Sequence, residues 1–209
     1  SGKGGVGKST FAVNYAVALK SIGYKIAILD ADIYGPSIPR MMGITGKPKT
    51  NNNKKLIPLE SYGVKCMSIG FLISVDTPAI WRGPMVMKAL EQMFNGVEWG
   101  ELDYLIIDLP PGTGDAQLTL AQSSKLTGSI IISTPQDVAL IDARKAIHMF
   151  NKVNVPVLGI VENMSYFICN KCNERHEIFA YGGAKKEAKE FKVDFLGEFP
   201  LDKNLRINS

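Results

Sequence analysis

The stretch Gly2-Lys3-Gly4-Gly5-Val6-Gly7-Lys8-Ser9-Thr10, at the start of the 209-residue chain, decides its fold. It has the form Gly-x-x-x-x-Gly-Lys-Ser, in which glycines let the backbone form a concave nest whose N–H groups point at phosphate oxygens. Residues 10–20 then read as an alanine-rich helix, and the N-terminus of a helix attracts the same anions. The pattern predicts a phosphate-binding loop followed by a helix.

The residue types in this loop suit particular contacts with a nucleoside triphosphate. Lys8 supplies a positive charge for the β- and γ-phosphates, and the Ser9 hydroxyl is placed to ligate Mg²⁺. A loop of this kind follows an apolar strand, so we expect that strand to precede Ser1 in the natural protein. The residues predicted to bind the nucleotide are Gly4, Gly5, Val6, Gly7, Lys8, Ser9 and Thr10.

Composition favours one α/β domain over residues 1–209. The chain is 45% hydrophobic, which is enough for one substantial core, and no apolar run approaches the roughly 20 residues that span a bilayer. The net charge is +4 with scattered lysines, which favours a solvated surface over a nucleic-acid interface. Three cysteines do not form a secreted disulfide framework, so we expect a reducing compartment. Because no apolar run is long enough, we expect no membrane insertion.

Short apolar runs alternate with helical stretches along the chain. Strands that are apolar at nearly every position are buried on both faces, which predicts a doubly wound, mostly parallel α/β sheet covered by helices. Ligands bind such sheets at the carboxyl ends of the strands. The predicted strands are Lys25–Asp30, Val64–Ile69, Tyr104–Asp108, Ser129–Ser133, Val157–Val161 and Phe195–Glu198, with helices near 9–21, 84–95, 115–125, 137–152 and 183–191 and irregular segments at 44–63 and 165–180.

Two of the predicted strands end in aspartate. Asp108 ends Tyr104–Asp108 and is predicted to hold Mg²⁺ through water, with a glycine-bearing switch loop after it. The strand that ends at Asp30 is followed by a second acid, Asp32. We predict that Asp32 orients the attacking water and that Asp30 supports it; the alternative is that both acids cap the turn that follows.

Cys169-Asn170-Lys171-Cys172 places two thiols at a spacing that lets both face one metal ion or one edge of a cluster. A closed site needs four ligands. His176 makes a Cys₂His zinc site within one chain one alternative, and a redox dithiol or a disulfide is another. Two copies of the loop around a two-fold axis would supply four thiolates, which suits a bridging [4Fe–4S] cluster. Cys66 alternates into the core of a predicted strand and is expected to be structural.

Several stretches together resemble one group of ATPases. Lys3–Thr10 resembles the deviant Walker A motif of the MinD/ParA/nitrogenase-iron-protein ATPases. Five further stretches resemble the Mrp/ApbC family, P-loop ATPases that carry iron–sulfur clusters and include a mitochondrial branch serving respiratory complex I assembly. Those stretches are Asp30–Gly43, Trp81–Pro84, Asp108–Asp115, Ser133–Asp137 and Glu162–Ser165.

This resemblance implies a homodimer that binds ATP and Mg²⁺, hydrolyses ATP slowly and delivers a [4Fe–4S] cluster to apo iron–sulfur proteins. Lys3 is then expected to reach the phosphate of the partner subunit, Asn163 to read the amino edge of adenine, and Pro200 with Leu201 to flank the base. The expected setting is the bacterial cytoplasm, with the mitochondrial matrix as the alternative. Because the sequence stops at Ser209, the family's C-terminal helix is expected to be missing from it.

A second class of function stays open on the sequence. A ParA- or MinD-type switch shares the front lysine, Lys3, but has no need of a Cys-x-x-Cys pair. A reductase like the nitrogenase iron protein is less consistent with the chain, because the cluster cysteines of that group stand in separate loops. The close pair Cys169 and Cys172 therefore favours the cluster carrier.

Overall fold

The computed structural model describes residues 2–72, 83–123 and 125–202 of the chain. Trp81 and Arg82, part of one motif on which the family resemblance depends, lie outside these residues. The chain divides into two compact units, each with its own sheet. We call Ser9–Pro110 the aspartate unit, and Ser1–Lys8 together with Pro111–Ser209 the cysteine unit.

The aspartate unit contains a four-stranded sheet in the order β2-β3-β1-β4. The central strand, β1, pairs in parallel with β3 and β4, and β2 is an antiparallel edge strand on β3. All five residues of β1 are buried, as its continuous apolar run predicts. The elements are α1 (Lys8–Ser21), β1 (Ile26–Asp30), α2 (Ile38–Met41), β2 (Leu59–Ser61), β3 (Val64–Ser68), a 3₁₀ turn (Ile69–Phe71), α3 (Gly83–Asn95) and β4 (Tyr104–Asp108).

The cysteine unit is built around one long strand, β6. Strands β5 and β8 pair with it in parallel, and the short β7 pairs antiparallel with its C-terminal end. The elements are α4 (Asp115–Ser123), β5 (Ser129–Ser133), α5 (Asp137–Lys152), β6 (Val157–Ile168), β7 (Arg175–His176), α6 (Gly183–Phe191) and β8 (Phe195–Pro200). The unit therefore places parallel strands beside a hairpin formed by β6 and β7.

The α/β class with mostly parallel strands is confirmed, and all six predicted strands and five predicted helices are present. The short elements α2, β2 and β7 were not predicted. The boundary of β6 was also wrong: the strand continues to Ile168, so the first part of the segment 165–180 is a strand. Met164 has a left-handed φ of 54°, and the pairing with β8 shifts register between Glu162 and Tyr166. This bulge interrupts the apolar alternation that sequence reading relies on.

Cys66 lies on β3 in the core of the aspartate unit and is fully buried. Burial, together with the charge of Asp30, raises the pKa of its thiol to about 12. A thiol with such a pKa stays protonated at neutral pH, whereas metal ligation needs the thiolate. The structural role predicted for Cys66 is therefore consistent with its burial. In the part of the chain that the structure describes, no helix is both long enough and apolar enough to cross a bilayer.

Candidate functional site

The predicted phosphate loop is an exposed turn of backbone at the start of the cysteine unit. Gly4 and Gly5 are exposed to solvent, whereas Val6 between the glycines is only 2% exposed and anchors the loop. Gly5 and Gly7 have left-handed φ angles of 80° and 85°, which glycine adopts without steric cost. This conformation leaves the loop backbone accessible to an anion while one apolar side chain fixes it.

The side chain of Lys8 bonds to the backbone of the loop at Lys3. The Nζ of Lys8 donates a hydrogen bond of 3.0 Å to the carbonyl oxygen of Lys3. The ammonium of Lys8 therefore lies over the loop from which the helix α1 begins. A phosphate in the nest would receive this charge at short range, as the sequence predicts.

The loop is held by residues that are far from it in sequence. The Nδ2 of Asn163, on β6, donates a hydrogen bond of 2.9 Å to the carbonyl oxygen of Val6. The backbone N–H of Gly112 donates to the carbonyl oxygen of Gly2 at 3.2 Å. A Cβ added at Gly7 would overlap the Nδ2 of Asn163. Asn163 therefore contacts the phosphate loop itself, and its expected role in reading adenine stays a prediction.

Glu162, next to Asn163, fixes this part of β6 by a buried carboxylate. Its Oε1 accepts hydrogen bonds from the Ser165 hydroxyl at 2.6 Å and from the Gly182 N–H at 3.1 Å. Its Oε2 accepts from the Ala184 N–H at 2.7 Å, in the first turn of α6. A carboxylate is stabilised at a helix N-terminus, where free N–H groups carry partial positive charge. Glu162 thus locks β6 to α6 directly beside Asn163.

Pro200 ends β8 and lies opposite Tyr166 of β6. The next residue, Leu201, donates its N–H to the carbonyl oxygen of Tyr166 at 2.7 Å. Pro200 is half-buried and therefore presents part of its ring to solvent. Pro200 and Leu201 are held beside the same strand that carries Asn163, and their contact with a base stays a prediction.

The two strand-end aspartates lie side by side on neighbouring strands of the aspartate unit. Asp30 of β1 is in register with Asp108 of β4, and Asp30 is fully buried. The Oδ2 of Asp30 accepts from the Ser68 hydroxyl at 3.0 Å and from the Ile38 N–H at 3.3 Å. Burial raises the pKa of Asp30 to about 7, and the negative charge of Asp108 adds to the shift. Two buried carboxylates this close favour either a proton or a cation between them.

Asp32 lies in the turn after β1. Its Oδ1 accepts a hydrogen bond of 3.2 Å from the Gly35 N–H, and its own N–H donates to the Oδ1 of Asp30 at 3.2 Å. The side chain therefore does cap the turn, as the alternative interpretation has it. It is only half-buried, and orientation of a water molecule by Asp32 stays a prediction. Ser9 and Thr10, also half-buried, lie in the first turn of α1.

The raised pKa of Asp30 predicts a pH dependence of folding in the protein without nucleotide or Mg²⁺. The folded protein keeps a proton that the unfolded chain, with a pKa of 3.8, gives up. Stability should therefore fall as the pH rises from about 4 to about 7, by up to about 4 kcal/mol. Asp30→Asn should flatten this dependence in urea unfolding, whereas Glu101→Gln, at an exposed carboxylate, should preserve it. Equal profiles for the two variants would contradict the assignment.

The cysteine pair lies in the turn of the hairpin between β6 and β7. The Cys169 N–H donates to the carbonyl oxygen of Glu174 at 2.9 Å, and the Asn173 N–H donates to the carbonyl oxygen of Cys169 at 2.8 Å. Cys169 is half-buried and Cys172 is exposed, and neither forms a disulfide. The turn therefore presents two reduced thiols at the end of β6.

The backbone of this turn favours the thiolate form of Cys169. The N–H groups of Cys172 and Lys171 and the thiol of Cys172 bond to the Cys169 sulfur and hold the pKa of that thiol below its usual range. Thiolates are the ligands that iron and zinc take from cysteine. The stem of the hairpin is fixed by Arg175, whose guanidinium lies 3.9 Å from the centre of the Tyr166 ring and bonds to Glu198 at 3.1 Å.

Three contributors to these sites escaped sequence reading. Ser68 ends β3 and donates to Asp30, and a signal existed, because it is a polar residue at a strand end beside the two acids. Gly112 lies in the predicted switch loop, but its bond to Gly2 has no local signal. Glu174 lies midway between Cys172 and His176 in the sequence. Because residues two positions apart in an extended chain share a face, this spacing could have indicated that Glu174 and His176 lie together.

Comparison with known proteins gives consistent matches over the whole chain. A chain of 44% identity from Archaeoglobus fulgidus, described as a nucleotide-binding protein in complex with ADP with cobalt found by PIXE, superposes with a TM-score of 0.87 over 100% of this chain and 82% of its own. An Arabidopsis thaliana relative, the mitochondrial iron-sulfur protein required for NADH dehydrogenase, is 57% identical over 100% of this chain and 67% of its own length. The iron-sulfur cluster carrier protein of Aquifex aeolicus is 53% identical over 97% of this chain.

The chain spans 67% and 56% of the lengths of these two relatives. The family whose description matches residues 1–209 is ParA, described as NUBPL iron-transfer P-loop NTPase. This match confirms the resemblance that the phosphate loop and the five further stretches of sequence indicated. The chain belongs to the NUBPL iron-transfer P-loop NTPases of the ParA group.

Proposed function

We propose that the chain is an ATP-dependent carrier that holds a [4Fe–4S] cluster between two copies of itself and delivers it to apo-proteins. One observation carries the proposal: the strand β6 bears Asn163, which contacts the phosphate loop, and ends one residue before Cys169. The strand β6 thus connects the phosphate-binding loop with the two cysteines that can bind iron. Relatives named as iron–sulfur cluster carrier and transfer proteins support this function.

The chain's own groups suit ATP and Mg²⁺. The exposed backbone of Gly4 and Gly5 with the ammonium of Lys8 takes the phosphates, and Lys3 reaches the phosphate of the second copy. Ser9 and Asp108 are the residues that would hold Mg²⁺, which when bound neutralises phosphate charge. The buried pair Asp30 and Asp108 fits a cation, because a positive charge would offset the two effects that raise the pKa of Asp30, its burial and the repulsion from Asp108.

Slow hydrolysis follows from the catalytic groups that the chain offers. Asp32 caps the turn through its Oδ1, so a water molecule held by the second carboxylate oxygen depends on the conformation of that turn. The Lys8 ammonium, which bonds to the Lys3 carbonyl, can bond to a phosphate oxygen as well. Both side chains therefore join the site of hydrolysis to loops that respond to the presence of the γ-phosphate.

The cluster is cargo, and a second copy of the chain completes its site. Cys169 and Cys172 supply two thiolates, and the symmetric pair from the partner makes four. The side chains of Ile168 and Ile178, near the turn, are 44% and 53% exposed. Apolar side chains beside an exposed ligand pair suit burial against the same surface of the partner. A site shared between chains opens when the chains separate, which suits release.

Coupling between nucleotide and cluster follows the strand β6. Cys169 follows Asn163 by six positions, one residue beyond the end of β6, which is at most about 20 Å along the chain. ATP shifts the cluster site only to the extent that it binds one arrangement of the loop and β6 more tightly than another. The bond from Asn163 to Val6 is the contact that such a difference would act on.

A transfer assay tests this proposal. The protein is reconstituted anaerobically with Fe²⁺ and sulfide and then mixed with an apo-protein that accepts [4Fe–4S], with and without Mg-ATP. We expect uptake of about four irons for two chains and faster transfer with ATP. Asn163→Ala is expected to carry the cluster but to lose the effect of ATP on transfer. Failure of the wild-type protein to take up iron and sulfide, or transfer indifferent to ATP, would contradict the proposal.

A further inference from the structure

Three side chains with metal-binding atoms converge on the cysteine hairpin of a single chain. The sulfur of Cys172, a carboxylate oxygen of Glu174 and a ring nitrogen of His176 all lie within 4.8 Å of one another. Cys169 lies in the same turn, where its carbonyl oxygen accepts a hydrogen bond from the Asn173 N–H at 2.8 Å. Three converging ligands of three chemical kinds, with a second thiol in the same turn, are therefore present without any contribution from a second copy.

The fold of the hairpin explains this convergence. β7 pairs with the end of β6 so that His176 lies opposite Phe167, and the Cys169 N–H closes the turn on the carbonyl oxygen of Glu174. Glu174 and His176 are two positions apart in extended chain, which puts their side chains on one face. The turn folds Cys172 back towards that face.

The distances suit a small divalent cation. In a tetrahedral zinc site with bonds of 2.0–2.3 Å, the ligand atoms are about 3.3–3.8 Å from one another. The Nε2 of His176 and the Oε2 of Glu174 are 3.8 Å apart, already at this spacing. As an ion pair between side chains that are 47% and 69% exposed, the same contact contributes little to stability. A bound cation would instead be stabilised by coordination to every ligand atom in the group.

We propose that Cys169, Cys172, Glu174 and His176 of one chain form a site for a single divalent transition-metal ion. A mixed sulfur, nitrogen and oxygen set binds Fe²⁺, Co²⁺ and Zn²⁺, with Zn²⁺ held more tightly than Fe²⁺. The site shares its cysteines with the proposed cluster site but needs neither a partner chain nor sulfide. An ion held there occupies the thiolates that the cluster requires, so zinc and cluster exclude each other.

Cobalt titration under anaerobic, sulfide-free conditions tests the site, with visible absorption as the readout. The expected result is one Co²⁺ per chain, with the absorption of tetrahedral cobalt bound to thiolate. His176→Ala and Glu174→Gln should each weaken Co²⁺ binding by about tenfold or more. Glu177→Gln, at an exposed glutamate outside the group, is the matched control and should bind like the wild type.

Two results would overturn the proposal: Co²⁺ affinity unchanged in both His176→Ala and Glu174→Gln, or one Co²⁺ bound per two chains. Reconstitution of the wild-type protein with iron and sulfide, run in parallel, reports separately on the cluster. Cobalt binding that depends on His176, with no cluster uptake, supports this site and contradicts the proposed function. Cluster uptake, together with cobalt binding that does not depend on His176 or Glu174, supports the proposed function and contradicts this site.

Discussion

Replacing both Cys169 and Cys172 by alanine is expected to abolish iron and sulfide uptake while ATP binding is retained. The two thiols are the cluster ligands that each chain contributes in our proposal, and they lie at the exposed turn of a hairpin. Removing them deletes every cysteine ligand from that turn but no core packing. The measurement is iron content and absorption after anaerobic reconstitution, with ATP affinity determined by calorimetry on the same sample.

Cys66→Ala is the control for the loss of a thiol as such. Cys66 is fully buried on β3, so its replacement should lower stability but leave cluster uptake unchanged. If the double variant took up iron and sulfide like the wild type, the assignment of the cluster to this turn would be wrong. If it also lost ATP binding, an effect on the phosphate loop rather than ligand loss would have to be inferred.

Gly7→Ala is expected to lower ATP affinity by about 100-fold or more. The residue has a φ of 85°, which costs a side chain about 1–2 kcal/mol, and the new Cβ would overlap the Nδ2 of Asn163. The loop must therefore move, and with it the N–H groups that face the phosphates. Calorimetric titration with Mg-ATP measures the change.

Gly23→Ala is the matched control for backbone strain. Gly23 has a φ of 104°, and a Cβ there would meet nothing within 4 Å. The Gly23→Ala protein should lose about 1–2 kcal/mol of its free energy of unfolding but keep the ATP affinity of the wild type. In the double variant Gly7→Ala with Asn163→Ala the overlap is removed, so part of the affinity should return. A Gly7→Ala protein that binds ATP like Gly23→Ala would show that the loop conformation is not needed.

The local motifs were readable from sequence because their chemistry is contiguous. Each motif is a short contiguous stretch of sequence: the phosphate loop, the strand that ends at Asp30, the strand that ends at Asp108, and the turn with Cys169 and Cys172. The alternation of apolar runs with helical segments then fixed the α/β class, since parallel strands buried on both faces need covering helices. No long-range contact was required for any of these predictions.

The contacts that support the site were not readable in the same way. Asn163 and Val6 are 157 positions apart, and their hydrogen bond depends on how β6 lies beside the loop. The length of β6 was underestimated because Met164 adopts a left-handed conformation at a bulge, where alternation fails. The grouping of Glu174 with Cys172 depends on the register of β6 with β7, which a two-residue strand hardly signals.

Native mass spectrometry of the reconstituted protein tests the central claim, a cluster shared by two copies, most directly. Wild-type chains are mixed with the Cys169→Ala, Cys172→Ala variant, distinguished by mass, before anaerobic reconstitution. We predict that iron and sulfide, about four of each, appear only on dimers of two wild-type chains. A cluster of the same composition on a wild-type monomer, or on the mixed dimer, would contradict the account.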